Sequence, residues 1–216
     1  TSVKPPLELF SFSLPSYLTL ENFAAVLRTY DMVQFSVNSL LIAFFVTTLG
    51  VIIGAIAAYG FARFRFPLRL PVLIAILVMR MIPGVSLIIP LYLMMNAWGL
   101  LDTRFAIILA QLGFVLPLSV WIMEGFFRGL PRELDEAALI DGCSRLGALF
   151  RVIFPISGPG LAVTAIFTFL FSWNDFVTPL VLSLTPKAQT LPVALSQMNL
   201  LYGIRWDHMA AASMMY

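Results

Sequence analysis

The residues able to do chemistry are few, and they fall in two places. Four acids, Glu133, Asp135, Glu136 and Asp141, stand close together and are followed by Arg145, Arg151, Pro155 and Pro159. Elsewhere single charges interrupt apolar sequence: Arg80 beside Met81-Ile82-Pro83, and Asp175 within Ser172-Trp173-Asn174-Asp175-Phe176. A carboxylate, an amide and an indole side by side suit a hydroxyl-rich solute, because hydroxyls both donate and accept and an indole offers a stacking plane. A charge at the centre of a membrane span costs about 2.5–3.5 kcal/mol on insertion scales, so Asp175 and Arg80 each call for a polar neighbour. Asp175 has the alternative of reaching water near an outer interface, and Arg80 that of a partner on a neighbouring helix. No catalytic constellation accompanies them. His208 is the one histidine, with no cluster around it, and is placed at a membrane interface. Cys143, the one cysteine, reads as a packing residue, and without a phosphate-cradling glycine loop any nucleotide must bind on another chain.

These groups must be positioned by membrane-spanning helices. Of 216 residues, 60% are hydrophobic and 11% charged, against roughly 25% charged in soluble domains. The chain lacks the charge to cover a water-facing surface. A net charge of +2 with scattered basic residues offers no nucleic-acid footprint. Uncharged sequence runs from Met32 to Ala62, with Val37–Phe61 at its heart. At roughly 1.5 Å per residue that exceeds a hydrocarbon core of about 30 Å. Further spans are expected over Leu70–Ala97 (interrupted by Arg80), Phe105–Phe127 (with Glu124 near its end) and Gly158–Leu184 (containing Asp175). A fifth is expected from His208 onward. The chain opens on Thr1 rather than Met and stops inside an apolar run, so a longer protein with a preceding span is expected.

Arginine distribution orients the spans. Arg63, Arg65 and Arg69 share one short loop, and Arg128, Arg132, Arg145 and Arg151 share the acidic segment. The other side holds Lys4, Arg28, Arg104, Lys187 and Arg205, more thinly spread. The two concentrated loops are therefore placed in the cytoplasm. Residues 1–36 and the segment 185–207, with Tyr202 and Trp206 as interfacial anchors, are placed outside. Gly50 and Gly54 form a G-x-x-x-G pattern, continued by Ala57 and Ala58, which allows another helix to approach closely.

The acidic segment reads as an elbow. Pro131 suits a first helical turn, Glu133, Asp135 and Glu136 favour its positive end, and Gly142 offers a stop. Ser144 can cap a second helix with a stripe of Leu146, Leu149, Phe150 and Ile153, ended by Pro155 and Pro159. Asp141 is expected to cap or to pair with Arg145, four residues on. The residues alone leave two readings open: an elbow that docks into a groove on a soluble partner, or an amphipathic connector resting on lipid headgroups.

In its wording this segment resembles the EAA loop of ABC-importer permeases: Glu136-Ala137-Ala138, three residues, Gly142, then Ile153-Phe154-Pro155. The fuller run from Pro131 to Gly142 is similar to the carbohydrate-uptake branch. Ile89-Pro90-Leu91, Ser172–Phe176 and Thr190-Leu191-Pro192 agree with it. The resemblance implies an all-α integral membrane protein, a type I importer bundle of about six spans, its first and the end of its last missing here. It implies a single permease domain over 1–216, with residues 128–157 as the cytoplasmic coupling loop. By the same resemblance Glu136, Ala137, Ala138, Asp141, Gly142 and Pro155 would couple to an ATPase, while Arg80, Trp173, Asn174 and Asp175 would border a substrate path. It implies no catalytic or metal residue and no cofactor on this chain, with ATP and Mg on the partner. The partners implied are a second permease, two ATP-binding cassette subunits, an extracellular solute-binding protein facing 185–207, a sugar or polyol, and the bilayer of a prokaryotic plasma membrane. Two alternatives remain at this point. An ion-coupled secondary transporter would leave the elbow unexplained and needs more intramembrane ionisable groups. An ABC permease for a non-sugar solute would share the elbow.

Overall fold

The computed structural model describes residues 20–201 and 206–215. Lys4, Tyr202, Arg205 and the side chain of Trp206, all given places above, lie outside the described residues, as do residues 1–19 of the external segment. Among the described residues the regular structure is entirely helical: α1 (Glu21–Thr29), α2 (Met32–Arg63), α3 (Arg69–Met79), a 3-10 turn (Gly84–Leu87) and α4 (Ile88–Ala97). These are followed by α5 (Arg104–Gly129), α6 (Glu133–Ile140), α7 (Arg145–Ala148), α8 (Phe154–Ile156), α9 (Gly158–Asn174), α10 (Val177–Leu182), α11 (Leu191–Leu201) and α12 (Trp206–Met215).

The centre is a three-helix packing of α2, α5 and α9, and small residues make it possible. A Cβ at Gly54 would stand 2.7 Å from the Cβ of Ser119 on α5, and one at Gly50 would stand 3.2 Å from a Thr168 methyl on α9. The Ser119 hydroxyl donates to the Val115 carbonyl at 3.1 Å and lies 3.4 Å from the Thr168 hydroxyl. The G-x-x-x-G pattern thus serves packing within the chain. Away from this seam, Phe44, Phe45, Ile53 and Ile56 of α2 face outward, as lipid-facing or subunit-facing side chains do.

Two helices, Met32–Arg63 and Arg104–Gly129, are long and apolar enough to cross a membrane, or four spans if each bent pair counts as one. From sequence, Pro83 and Pro90 suggest kinks in the second span; Pro83 stands at a sharp bend and Pro90 in the first turn of α4. A break in the span over Gly158–Leu184 corrects the sequence reading. The expected span over Leu70–Ala97 turns by 90° between Met79 and Gly84. Pro83 there is extended, with ψ 125°, because its ring keeps it from donating to the preceding turn. The expected span over Gly158–Leu184 ends at Asn174. Asp175 is extended, with ψ 119°, and its carboxylate accepts from the Thr178 amide at 3.3 Å, capping α10. A third bend of 85° separates the elbow's second arm from α9. That arm does not end at Pro155. It widens to a π turn over Leu149–Ile153, runs through Pro155 and stops at Ser157. The Phe154 amide reaches back to the Leu149 carbonyl, the longer bonding that compensates for a proline without an N–H.

Two more expectations change, and His208 gains a surrounding. The segment 185–207 contains α11, whose Leu191, Ala194 and Met198 pack with Val26, Met32, Ala211 and Ala212. The final helix starts at Trp206, two residues before His208. His208 is buried at 7% exposure, edge-on to Tyr30 at 6.0 Å.

The bundle's two ends are defined by contacts. At one, Arg63 Nη1 donates to the Leu130 carbonyl at 3.1 Å, so the Arg63–Arg69 loop and the elbow sit together. At the other, Asn38 donates to the carbonyls of Lys187 and Gln189 at 3.0 and 2.7 Å, and Arg104 donates to Asn38 at 2.8 Å.

Candidate functional site

The elbow is built by its turn. The Gly142 amide bonds the Leu139 carbonyl at 3.1 Å and the Cys143 amide bonds the Ala138 carbonyl at 2.9 Å. This is the paired closure of a Schellman motif, which needs a left-handed residue at its corner. Gly142 supplies it with φ 82°, a conformation costly for any residue with a Cβ. Ser144 then caps the next arm, its hydroxyl accepting from the Gly147 amide at 3.1 Å.

Outward and inward faces of α6 differ sharply. Glu136, Ala137, Asp141 and Gly142 are exposed, and so is Ile140, at 86%. Pro155 is exposed as well. Ala138 is buried against the bundle, so of the two alanines only Ala137 faces outward. The stripe expected on the second arm is split: Leu149 and Ile153 are buried, Leu146 and Phe150 exposed. Arg145 does not pair with Asp141 among the described residues; its guanidinium lies 5.1 Å from the centre of the Phe64 ring. That contact favours Arg145 because a planar cation gains more over an aromatic face than beside a solvated acid.

The inward side holds what sequence reasoning missed. Asp135 is buried, with Oδ1 accepting from the Tyr59 hydroxyl at 2.6 Å and Oδ2 2.8 Å from Arg63 Nε. Removing one member of such a buried pair costs about 3–5 kcal/mol. Glu124 is buried too, between Arg69 at 2.6 Å and Arg128 at 2.9 Å. In the sequence Asp135 is only one of four neighbouring acids, and its inward turn is invisible there. Ile140 carried a signal, an apolar residue next to the turn.

The second candidate region is a cavity of about 550 Å³ between the α3–α4 bend, α5 and the α9–α10 break, lined by Arg80, Phe114, Phe171, Asp175 and Thr178 among others. Two charges far apart in sequence, Arg80 and Asp175, are thereby brought to one space. Arg80 donates to the Phe114 carbonyl at 3.3 Å, three residues before the helix-loosening Pro117, and its guanidinium lies 5.9 Å from the Phe171 ring centre. Asp175 accepts from Gln111 Nε2 at 2.9 Å, and Gln111 Oε1 accepts from the Ser172 hydroxyl at 2.5 Å. Gln111 is fully buried. It was legible as a lone amide in an apolar helix. Trp173 and Asn174 do not join this cavity. Trp173 stacks on Phe169 at 5.8 Å and packs in the α1–α12 cluster, while Asn174 is exposed and donates to the Leu170 carbonyl at 2.7 Å. The helix ends at Asn174, so consecutive side chains diverge.

At the opposite end, Asp102 clasps the start of the 185–190 segment. It accepts from the Leu184 and Thr185 amides at 2.9 and 2.8 Å and from the Thr185 hydroxyl at 2.5 Å. Burial pushes its carboxyl upward, yet those hydrogen bonds and the charge of Lys187 outweigh it and hold the group below its ordinary value.

Apolar helices around a cavity with single opposed charges, ending in an elbow with an exposed apolar tip, fit a membrane transport subunit. The comparisons with known proteins make that class specific. The chain belongs to the family of binding-protein-dependent transport system inner membrane components, which it matches over residues 50–213. It is 37% identical over 204 residues to the trehalose transport system permease protein of Mycobacterium tuberculosis, covering 89% of this chain and 74% of that one. It is also 37% identical over 198 residues to the trehalose/maltose transport system permease protein of Thermococcus litoralis, covering 90% and 71%. A crystal structure of a bacterial ABC transporter that imports the acidic polysaccharide alginate contains a chain of the same fold, with TM-score 0.85 at 20% identity, covering 99% of this chain and 81% of that one. The protein is thus a non-catalytic permease subunit of a binding-protein-dependent importer, and the secondary-transporter alternative falls away.

Proposed function

We propose that this permease forms half of the path for a saccharide or polyol across a prokaryotic plasma membrane, beside a second permease. Its elbow docks in a cleft of one of two ATP-binding cassette subunits, which hold ATP and Mg. Glu136, Ala137, Ile140 and Asp141 form the docking face, Gly142 holds its shape, and Pro155 marks the arm that returns to the membrane. An external solute-binding protein delivers the solute at the end bearing Asn38, Arg104 and residues 185–190. Arg80 and Asp175 border the path. Trp173 and Asn174 belong to its outer surroundings.

The observation that carries this reading is the two-faced elbow: a closed turn presents Ile140 and Glu136 outward while Ala138 and Asp135 fasten the same helix inward. An exposed isoleucine at 86% is costly in water and suited to a fitted apolar pocket. The test is Gly142→Pro, which cannot adopt the positive φ. The permease should still insert and assemble, while ATP hydrolysis loses its dependence on the binding protein. Wild-type stimulation of hydrolysis in that variant would sink the coupling assignment.

A further inference from the structure

Of the elbow's four acids, Asp135 alone is buried. It turns the other way, and α2 meets it at two points one helical turn apart: the Tyr59 hydroxyl at 2.6 Å and Arg63 Nε at 2.8 Å. The Arg63 and Asp135 side chains are only 5% and 9% exposed. Arg63 Nη1 also holds the Leu130 carbonyl just before the elbow, and Arg145, on the second arm, covers Phe64 just beyond α2. Tyr59 itself lies edge-on to Phe127 at 6.2 Å, where α5 ends.

A pushed elbow moves the bundle most directly where its inner side resists slipping. Apolar packing alone slides with little penalty once contacts are exchanged. A buried charge pair resists, because separating it leaves both charges without water or partner. The helix so held, α2, is the one that packs through Gly50 and Gly54 onto α5 and α9, which wall the cavity. We infer that Asp135, Arg63 and Tyr59 form the joint through which displacement of the elbow turns α2, as positioning residues separate from the ATPase contact. This inference rests on the reading of the elbow as the docking element.

The test uses the assembled importer in proteoliposomes, in a Cys143→Ser background with a single cysteine replacing Val85. Val85 is 67% exposed and lines the cavity. Its maleimide labelling is compared without nucleotide and after trapping with ATP and vanadate, all values per assembled complex. With the joint intact, labelling should change between the two states. In Asp135→Asn and Tyr59→Phe, hydrolysis should stay within about twofold while that change shrinks about fivefold or more, as expected for loss of bonds to a buried charge. The swapped pair, Arg63→Asp with Asp135→Arg, should regain part of the change. Gly142→Pro, run in parallel, separates the two ideas. If it keeps the full change, the docking reading fails and the joint with it. If it abolishes the change while Asp135→Asn and Tyr59→Phe keep it, the joint alone is overturned. Should Asp135→Asn fail to assemble, Tyr59→Phe, which removes only a hydroxyl, decides the matter.

Discussion

At the scale of single residues, the cavity charges differ in how they are held. Asp175 is tethered by Gln111 and by the amide that starts α10, so its carboxylate has a defined direction. Asp175→Asn keeps the shape and removes the charge. In cells whose wild-type importer takes up labelled trehalose or maltose, that uptake should fall about tenfold at equal amounts of complex, since a hydrogen bond to a charged group contributes roughly 1.5–3 kcal/mol. Gln111→Leu should fall similarly, because it strands both Asp175 and Ser172. Unchanged uptake of either sugar in both variants would remove Asp175 from the path. Asp102 makes a prediction of another kind. Its carboxyl sits lower in the folded protein than in the unfolded chain. The stability it contributes is therefore present above the ordinary carboxylate value and lost as pH falls through the depressed one. Amide exchange at Leu184 and Thr185, corrected for intrinsic rate, should rise over that acid range. In Asp102→Asn exchange should be raised at neutral pH and lack the transition.

At the scale of helices, close approach and breaks decide the shape. With Gly54 Cβ space only 2.7 Å from Ser119 Cβ, Gly54→Leu must push α2 from α5. A loss of about 1–3 kcal/mol is expected from such overpacking. It should be read as a lower midpoint of thermal aggregation in detergent, with a much smaller shift for Gly60→Leu, where a Cβ meets open space. Equal shifts would show that the α2–α5 seam is not the limiting contact. The breaks follow the same logic in reverse. Pro83 and Asp175 interrupt two spans at the level of one cavity. Irregular backbone inside a membrane is tolerated where it lines protein or water, not lipid.

At the scale of the molecule, the two ends carry different loops, and the arginine-rich loops share one of them. That grouping comes from contacts such as Arg63 with Leu130 and Asn38 with Lys187. The sidedness proposed here puts Arg65 and Arg145 in the cytoplasm and Lys187 outside. Single cysteines at these positions, in Cys143→Ser whole cells, should react with an impermeant thiol reagent at 187 alone. Labelling at 65 or 145 instead would invert the topology.

Composition and wording by themselves determined that this is a helical membrane protein with an elbow at Glu136–Gly142, because lipid tolerates few charges and a Schellman turn demands glycine. Hydropathy also found the long helices around Met32–Arg63 and Arg104–Gly129. Pro83 marked a kink near Arg80, but neither the size of that bend nor the break at Asp175 was legible, since an apolar run looks the same straight or bent. Nor could spacing tell which acid of Glu133, Asp135, Glu136 and Asp141 turns inward. Only the tertiary structure decided that Asp135 meets Tyr59 and Arg63, that Arg80 and Asp175 share a cavity, and that Trp173 leaves it. Each depends on partners tens of residues away, and the free energy that chooses among them, pairing against desolvation, exists only once those partners are packed together.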